Sequence, residues 1–119
     1  HLIGCAALSA KGLLLGSDGI VPSTANFIPR MFRQLYDAAI KGDAAAAEKL
    51  QLQTDEIAKI YQGKRLLSES LAALKAMMSE LGLCGPAVLP PLIECGESEK
   101  ALIRQEMTRL AVRQLAFAG

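Results

Sequence analysis

The sequence has no tryptophan, a single histidine and only three cysteines among its 119 residues. The cysteines, Cys5, Cys84 and Cys95, include no CxxC pair, and no histidines cluster near them. A structural zinc site needs such spacing, and a disulfide framework ordinarily uses an even number of cysteines. The sequence therefore predicts a reduced, cytoplasmic protein that binds no metal ion.

Strong charge of one sign and long apolar runs are also missing. The formal net charge is +1 and no block of lysine and arginine occurs, so nucleic acid is not an expected partner. The most apolar stretch, residues 2–15, contains Lys11 and is shorter than the roughly 20 residues that a membrane helix requires. It also lacks the basic region of a signal peptide, so we expect no membrane partner.

The length and the first residues indicate part of a larger fold. A chain of 119 residues accommodates one modest domain, whereas a complete (β/α)8 barrel takes roughly 250 residues. It begins at His1 without an initiator methionine and enters apolar sequence at once. We therefore expect a processed product or a piece of a longer chain.

Strand and helix signals alternate at the start of the chain. Leu2-Ile3-Gly4 is a short apolar stub, and residues 5–15 are apolar on nearly every side, as in a buried helix. Gly16 to Gly19 form a turn signal, after which Ile20-Val21 has strand character up to Pro22. This order predicts a β-α-β unit of a parallel sheet.

From residue 29 onward the pattern is helical, with starts near Pro29, Ala44, Ser68 and Ser98 and a capping residue at Asp43. The predicted apolar stripes are Phe32, Leu35, Tyr36, Ala39 and Ile40, then Ala47, Leu50, Thr54, Ile57 and Tyr61, then Leu67, Leu71, Leu74, Met78 and Leu81, and last Ile103, Met107, Leu110 and Ala111. The first three helices are predicted to end at Gly42, Gly63 and Gly82. Pro86, Pro90 and Pro91 exclude regular helix before the last one. We therefore predict a division into residues 1–28 and a helical region, residues 29–119, with a proline-rich linker at about 84–97.

The spacing from Gly4 to the segment Gly16-Ser17-Asp18-Gly19-Ile20-Val21-Pro22-Ser23-Thr24-Ala25-Asn26 resembles strands seven and eight of the dihydrodipicolinate synthase/N-acetylneuraminate lyase family. Members are class I lyases and aldolases, which work through a Schiff base on a (β/α)8 barrel. Segments similar to that family's eighth helix and C-terminal extension follow in order: Leu35-Tyr36-Asp37-Ala38-Ala39, Lys41-Gly42-Asp43, Leu74-Lys75-Ala76, Glu80-Leu81-Gly82-Leu83 and Leu89-Pro90-Pro91-Leu92. The resemblance implies a mainly α chain, made of the last two βα units of a (β/α)8 TIM barrel and its C-terminal helical extension.

The resemblance also implies candidate substrate-binding residues. Gly4 would border the bound keto acid, the backbone of Val21 would face the catalytic lysine, and Ser23 matches a position that contacts a sugar hydroxyl in the sialic-acid lyases. Ser23, with Thr24 and Asn26, is equally typical of a helix start and cap. Both interpretations of this segment remain open.

The chain departs from the family in two respects. Where relatives carry acidic residues after the glycine, it has Cys5-Ala6-Ala7, which argues against a sialic-acid-type polyol site and leaves the substrate open. The family's imine-forming lysine, its proton-transferring tyrosine and a Gly-Thr-Thr segment lie on strands six, five and two, N-terminal to the part that this chain resembles. The lysines present are predicted on polar helix faces or at helix ends, whereas imine chemistry needs a desolvated amine. We expect no catalytic residue in this chain, and we expect Cys5 to be a small buried cysteine, since only His1 could activate it.

Three functions remain open. The first is a segment of a lyase or aldolase that acts on pyruvate or another 2-keto acid through a lysine Schiff base, inactive by itself and without a cofactor. The second is a truncated pseudoenzyme that serves as a helical association module. The third is binding of a small anion by the loops after Gly4 and Pro22. The leftover apolar surface of the first helix predicts a homo-oligomer, with the strand segments loosely held or used to associate.

Overall fold

Helices make up most of the chain, and the strands are very short. The computed structural model describes residues 1–117. Its elements, in chain order, are β1 (Leu2–Ile3), α1 (Ser9–Leu14), β2 (Gly19–Ile20), α2 (Pro29–Ile40), α3 (Ala44–Gln62), α4 (Leu67–Glu80), α5 (Glu97–Arg109) and α6 (Val112–Phe117). Short 3-10 turns, Ala6–Leu8 and Ser23–Asn26, follow the two strands. The predicted mainly α class is confirmed.

Two predicted helices have different limits in the structure. The one expected over residues 5–15 is a 3-10 turn followed by α1, because the backbone of Leu8, with φ −108 and ψ 8, is not helical. At the other end, Ala111 takes φ 51 and stops α5. Ala111 is therefore an exposed linker residue rather than part of an apolar stripe, and α6, which was not predicted, begins after it.

The chain forms two compact units, His1–Glu56 and Ile57–Gly119. Their boundary falls inside α3. The predicted division between residues 28 and 29 separates the barrel strands from the helical region, whereas the two compact units are defined by packing within the chain. The predicted division therefore stays a prediction.

In the first unit, β1 and β2 form a parallel pair, as the β-α-β order predicts. Leu2 lies opposite Gly19 and Ile3 opposite Ile20, so β2 begins one residue earlier than predicted. The strands pair with each other and are not absorbed into the helical packing. Because α1 packs against α2, the intervening helix of this unit rests on the helix that follows it.

The two faces of the strand pair differ. A β-carbon placed on Gly12 of α1 would lie 2.6 Å from Cγ1 of Ile3, so Ile3 points at α1 and the missing side chain of Gly12 makes room for it. A β-carbon on Gly19 would lie 3.0 Å from Cδ2 of Leu2. Since strand side chains alternate between faces, Leu2 and Gly19 share the face directed away from α1.

The predicted stripe of α2 is buried at three of its five positions, and Tyr36 is half-buried. Phe32, Leu35 and Ala39 are buried, whereas Ile40 is 56% exposed. Gly42, with φ 78, then closes the helix in a left-handed turn, as predicted. Asp43 caps α3, because its Oδ1 accepts the N–H of Ala46 at 3.0 Å.

The other end of α3 lies where the sequence predicts it, since the helix ends at Gln62, directly before Gly63. The residue in the left-handed region, however, is Lys64, with φ 57, and not the glycine. The N–H of Gly63 still donates to the carbonyl of Lys59 at 2.9 Å, as in a continuing helix. A β-carbon on Gly63 would lie 2.7 Å from that carbonyl oxygen. Any larger residue at this position would therefore collide with the backbone of Lys59, which explains the glycine.

In the second unit, α4 packs against α5 and α5 against α6. The predicted stripe of α4 is partly wrong, since Leu74 and Leu81 are buried but Leu67 is 77% exposed and Leu71 is also exposed. Small residues and one methionine complete the buried face: Ser70, Ala72, Ala73, Ala76 and Met77. Leu71 and Met78 instead line an open groove with Leu89 of the proline-rich segment.

Candidate functional site

The carboxyl ends of β1 and β2 lie side by side and form the candidate site. The backbone N–H of Val21 donates to the carbonyl of Ile3 at 2.8 Å, which completes the pairing of Ile3 with Ile20. Gly4 directly follows β1 and Val21 directly follows β2, so both lie at the carboxyl end of the strand pair. The structure therefore brings together two of the predicted site residues.

Gly4 and Val21 share the strand face that is directed away from α1. Alternation assigns them to the same face as Leu2 and Gly19. Leu2 and Val21 are each 64% exposed, and a β-carbon on Gly4 would find no atom within 4 Å. In a (β/α)8 barrel this face is the interior, and active sites lie where the parallel strands end. The face is therefore open at the place where a barrel enzyme binds its substrate.

Ser23 follows this face in the 3-10 turn after β2 and is half-buried. Asn26 donates from its side-chain Nδ2 to the carbonyl of Ser23 at 2.8 Å, and the N–H of Ala25 donates to the carbonyl of Pro22 at 3.1 Å. The role of Asn26 is thus local, in closing the turn before α2. The substrate role of Ser23 stays a prediction.

Cys5 is exposed, so the prediction that it is buried is wrong. It lies between the end of β1 and the 3-10 turn. The sequence has one histidine, His1, and its Nδ1 lies 3.0 Å from Oγ of Ser17. No imidazole is therefore paired with the Cys5 thiol, and a cysteine nucleophile activated by histidine has no support.

Gln51 of α3, which sequence reasoning missed, holds the turn that follows Gly4. Its Oε1 accepts the N–H of Ala10 at 2.9 Å, and its Nε2 donates to the carbonyl of Ala6 at 3.0 Å. Nε2 also donates to Oδ1 of Asp55 at 2.8 Å. The signal was its spacing, since Gln51 lies four residues after the buried Ala47 and so falls on the same helix face.

The lysines of the described residues are not placed for imine formation. None lies on β1 or β2, and Lys11, on the neighbouring α1, is exposed. Nζ of Lys100 lies 2.8 Å from Oε1 of Glu94 and 3.2 Å from Oε1 of Glu97. The hydrogen bonds that the ammonium donates to these carboxylates raise the pKa of Lys100, so its ammonium stays protonated and is not a nucleophile.

Two further properties concern the described residues as a whole. Over residues 1–117, no group of three or more His, Cys, Asp and Glu side chains is arranged to hold a metal ion. Over the same residues, no helix combines the length and the apolar character that crossing a bilayer requires.

A parallel β-α-β unit with an open face at its strand ends, followed by a helix and a helical extension, is the C-terminal end of a (β/α)8 barrel. The model of the dihydrodipicolinate synthetase family matches residues 2–110. This chain therefore belongs to that family, whose members include lyases and aldolases.

Individual relatives agree with this assignment. The 4-hydroxy-tetrahydrodipicolinate synthase of Alkalilimnicola ehrlichii is 31% identical over 100 residues, which are 84% of this chain and 33% of that protein. The dihydrodipicolinate synthase of Bacteroides thetaiotaomicron superposes with a TM-score of 0.83 at 31% identity, over 91% of this chain and 37% of that one. A prophage protein of E. coli K12, from the dihydrodipicolinic acid synthase family and solved in complex with pyruvate, superposes with a TM-score of 0.77 at 28% identity, over 93% of this chain and 37% of that one. The chain thus spans about a third of the length of the relatives that it matches.

Proposed function

We propose that this chain is the C-terminal part of a cytoplasmic lyase or aldolase that acts on pyruvate or another 2-keto acid through a lysine Schiff base. The open face at Gly4 and Val21 carries this proposal, because it lies at the strand ends where barrel enzymes bind substrates. The family member solved with pyruvate supports a small keto acid as the ligand. The absence of a side chain at Gly4 leaves room for such a molecule.

In this proposal the chain supplies binding groups, and the catalytic lysine comes from another strand of the barrel. Gly4 borders the keto acid, the backbone of Val21 faces the lysine, and Ser23 lies beside the second substrate. The protonated imine withdraws electrons from the bond that is made or broken, so the reaction needs no metal or organic cofactor. Since none of its own lysines lies on β1 or β2, the 119-residue chain is inactive by itself.

Borohydride trapping tests this proposal directly. The 119-residue chain and the full-length product of the encoding gene are each treated with pyruvate and sodium borohydride, and their masses are measured. We expect an adduct of one pyruvate on the full-length protein and none on the 119-residue chain. An adduct on any lysine of the 119-residue chain, or no adduct on the full-length protein, would contradict the proposal.

We further propose that two copies of the chain associate through a groove between α1 and α3. Leu15, just after α1, and Leu52 of α3 are 77% and 69% exposed, and both line this groove. Lys11 lines it on the α1 side and Glu48 on the α3 side. A two-fold axis would place the Lys11 ammonium of one copy beside the Glu48 carboxylate of the other. The groove is thus apolar, and its charged residues are complementary to those of a second copy. Both properties favour a second copy as its occupant.

Association without catalysis is the second candidate function, and the same groove supports it. The two candidates differ in what the full-length protein does with pyruvate. A dimer that traps no pyruvate would favour the association module, whereas a dimer that traps pyruvate would be an oligomeric lyase.

A further inference from the structure

A cavity of about 220 Å³ lies between α4, α5 and α6 of the second unit. Its apolar part is formed by Leu81, directly after α4, and Met107 of α5, which are 4% and 7% exposed. The other residues that line it are polar and come from all three helices: Glu80, Arg104, Thr108, Arg113 and Gln114. An apolar surface with a few polar groups around it is typical of a small-molecule site, and the modest volume requires a small ligand.

The positive charges in this lining outnumber the negative charge. Glu80 is the one acidic residue among the described residues that line the cavity. Arg104 already engages both of its carboxylate oxygens, since Nε and Nη2 each donate to one of them at 2.9 Å. The charges of these two residues therefore cancel, and the charge of Arg113 is left over.

Arg113 differs in this respect from the other exposed arginines of known pairing. Arg33 lies 2.8 Å from Asp37, and Arg109 lies 2.7 Å from Glu106. The guanidinium of Arg113 makes no hydrogen bond or ion pair within residues 1–117, and its central carbon lies 5.7 Å from the centroid of the Phe117 ring. Its five N–H donors thus remain available for a ligand, and they match the two oxygens of a carboxylate.

We infer that this cavity binds a small carboxylate that carries a short branched alkyl group. The carboxylate accepts hydrogen bonds from Arg113, and the alkyl group covers Leu81 and Met107. Each methylene group that reaches this apolar surface should raise the affinity by about fourfold. A monoanion fits better than inorganic phosphate, because one cation is unpaired and the Glu80 carboxylate repels a second negative charge. The inference concerns residues of the second unit alone and does not depend on the proposed function.

Titrations followed by NMR test this inference on the isotope-labelled 119-residue chain. The probes are isovalerate, acetate, inorganic phosphate and the uncharged isovaleramide. We expect isovalerate to shift the methyl signal of Met107 and the amide signals of Arg113 and Gln114 in a saturable manner, with a Kd at least about tenfold lower than that of each other probe. Equal affinity for isovalerate, acetate and phosphate would show an adventitious ion only. Equal affinity for isovaleramide, or saturable shifts confined to other residues, would also overturn the inference.

Variants at exposed arginines separate a site from general attraction by charge. We expect Arg113→Gln to raise the Kd of isovalerate at least about fivefold, because it removes a charge-assisted pair of hydrogen bonds. Arg113→Lys keeps the charge but loses the planar fork, so its Kd should be intermediate. Arg109→Gln removes the same charge from an exposed arginine that does not line the cavity and should change the Kd by less than about twofold.

Circular dichroism confirms that each variant keeps the native helix content. An unchanged Kd in the folded Arg113→Gln variant would contradict the inference. An equal loss of affinity in Arg109→Gln would contradict it as well, because the binding would then follow net charge and not the cavity.

Discussion

The side-chain carbonyl of Gln51 accepts a hydrogen bond from the backbone N–H of Ala10 at 2.9 Å. Ala10 lies in the first turn of α1, where backbone N–H groups have no partner within the helix. The amide of the same glutamine donates to the carbonyl of Ala6 in the preceding 3-10 turn. One buried side chain on a distant helix thus joins the turn after Gly4 to the helix that follows.

Replacing Gln51 by leucine should therefore destabilise the protein. Gln51→Leu keeps a similar volume and leaves a buried N–H and a buried carbonyl unsatisfied, for which we expect a loss of about 1–3 kcal/mol in the free energy of unfolding. Urea denaturation followed by circular dichroism measures it. Gln53→Leu, at an exposed position of the same helix, is the control and should change stability by less than about 0.5 kcal/mol. Equal effects of the two substitutions would show that the hydrogen bonds of Gln51 contribute nothing.

A glycine at position 111 should stabilise the second unit. Ala111 has φ 51, a conformation that costs an L-residue about 1 kcal/mol relative to glycine. We expect Ala111→Gly to raise the free energy of unfolding by about that amount. Ala101→Gly, at an exposed position inside α5, should lower it by about 1 kcal/mol, because glycine disfavours a helix interior. Thermal denaturation of both variants checks the opposite signs, and a loss of stability in Ala111→Gly would contradict the expectation.

The pair of Glu80 and Arg104 should make stability depend on acid pH. Nε and Nη2 of Arg104 each donate to the carboxylate of Glu80 at 2.9 Å. These hydrogen bonds, with the charge of the guanidinium, hold the pKa of Glu80 below its usual value of 4.5 despite its partial burial. A pKa that is lower in the folded state stabilises the protein fully above the unfolded pKa, and that stabilisation is lost as pH falls through the folded pKa.

We therefore expect Glu80→Gln to be less stable than the native chain at neutral pH, with the difference vanishing as pH falls below 4.5. Denaturation midpoints measured from neutral pH to about pH 3 test this. The difference should also shrink in 1 M salt, because the pair is partly exposed and screened there. A difference that stays constant down to the lowest pH would exclude the ionised pair as its cause.

The rates of thiol alkylation should differ between Cys5 and Cys95. Burial, together with the nearby Glu99 carboxylate, raises the pKa of the Cys95 thiol to about 11, and this residue is 7% exposed. Only about a thousandth of that thiol is ionised near pH 8, whereas Cys5 is exposed to reagent. We expect iodoacetamide to modify Cys5 at least about tenfold faster in the folded chain. Peptide mapping by mass spectrometry measures both rates, and the difference should disappear in denaturant. Comparable rates in the folded chain would contradict the burial of Cys95.

The groove between α1 and α3 predicts a dimer that charge-changing substitutions can disrupt and restore. In sedimentation velocity at micromolar concentration we expect the native chain to associate, and Leu52→Glu to be monomeric. Leu89→Glu, at an exposed position of the second unit, is the control and should still associate. Lys11→Glu should weaken the dimer, and the double variant Lys11→Glu with Glu48→Lys should restore it. A monomeric native chain would refute the proposed interface.

Signals that act over a few residues predicted most of the element limits. The proline at the start of α2, the left-handed glycine at position 42 and the cap of Asp43 are where the sequence indicates them. These features depend on backbone conformation and on hydrogen bonds within one turn, which the local residues control. The order of strand and helix signals likewise predicted the parallel pairing of β1 with β2, because a helical connection favours parallel strands.

The burial of individual side chains was predicted less well, because it depends on which helix faces pack against other parts of the chain. The leucine stripe of α4 is helically spaced, yet Leu67 is exposed and the alanine-rich face around Ala73 is buried. Cys5 was expected to be buried and lies open at a strand end. Gln51 belongs to none of the predicted apolar stripes, although it is buried and its amide satisfies two backbone groups more than 40 positions away. Each of these outcomes depends on segments distant in sequence.

For the candidate site, the sequence by itself determined the residues and their order. A glycine follows the first strand and a valine follows the second, and their likeness to one barrel family predicts both as binding residues. Only the tertiary structure decided that β1 and β2 pair in the register that brings Gly4 and Val21 to the same end, where both residues are exposed. The reason is physical: strand register and side-chain face are set by hydrogen bonds and packing between residues that lie 17 positions apart, which local sequence pattern does not encode.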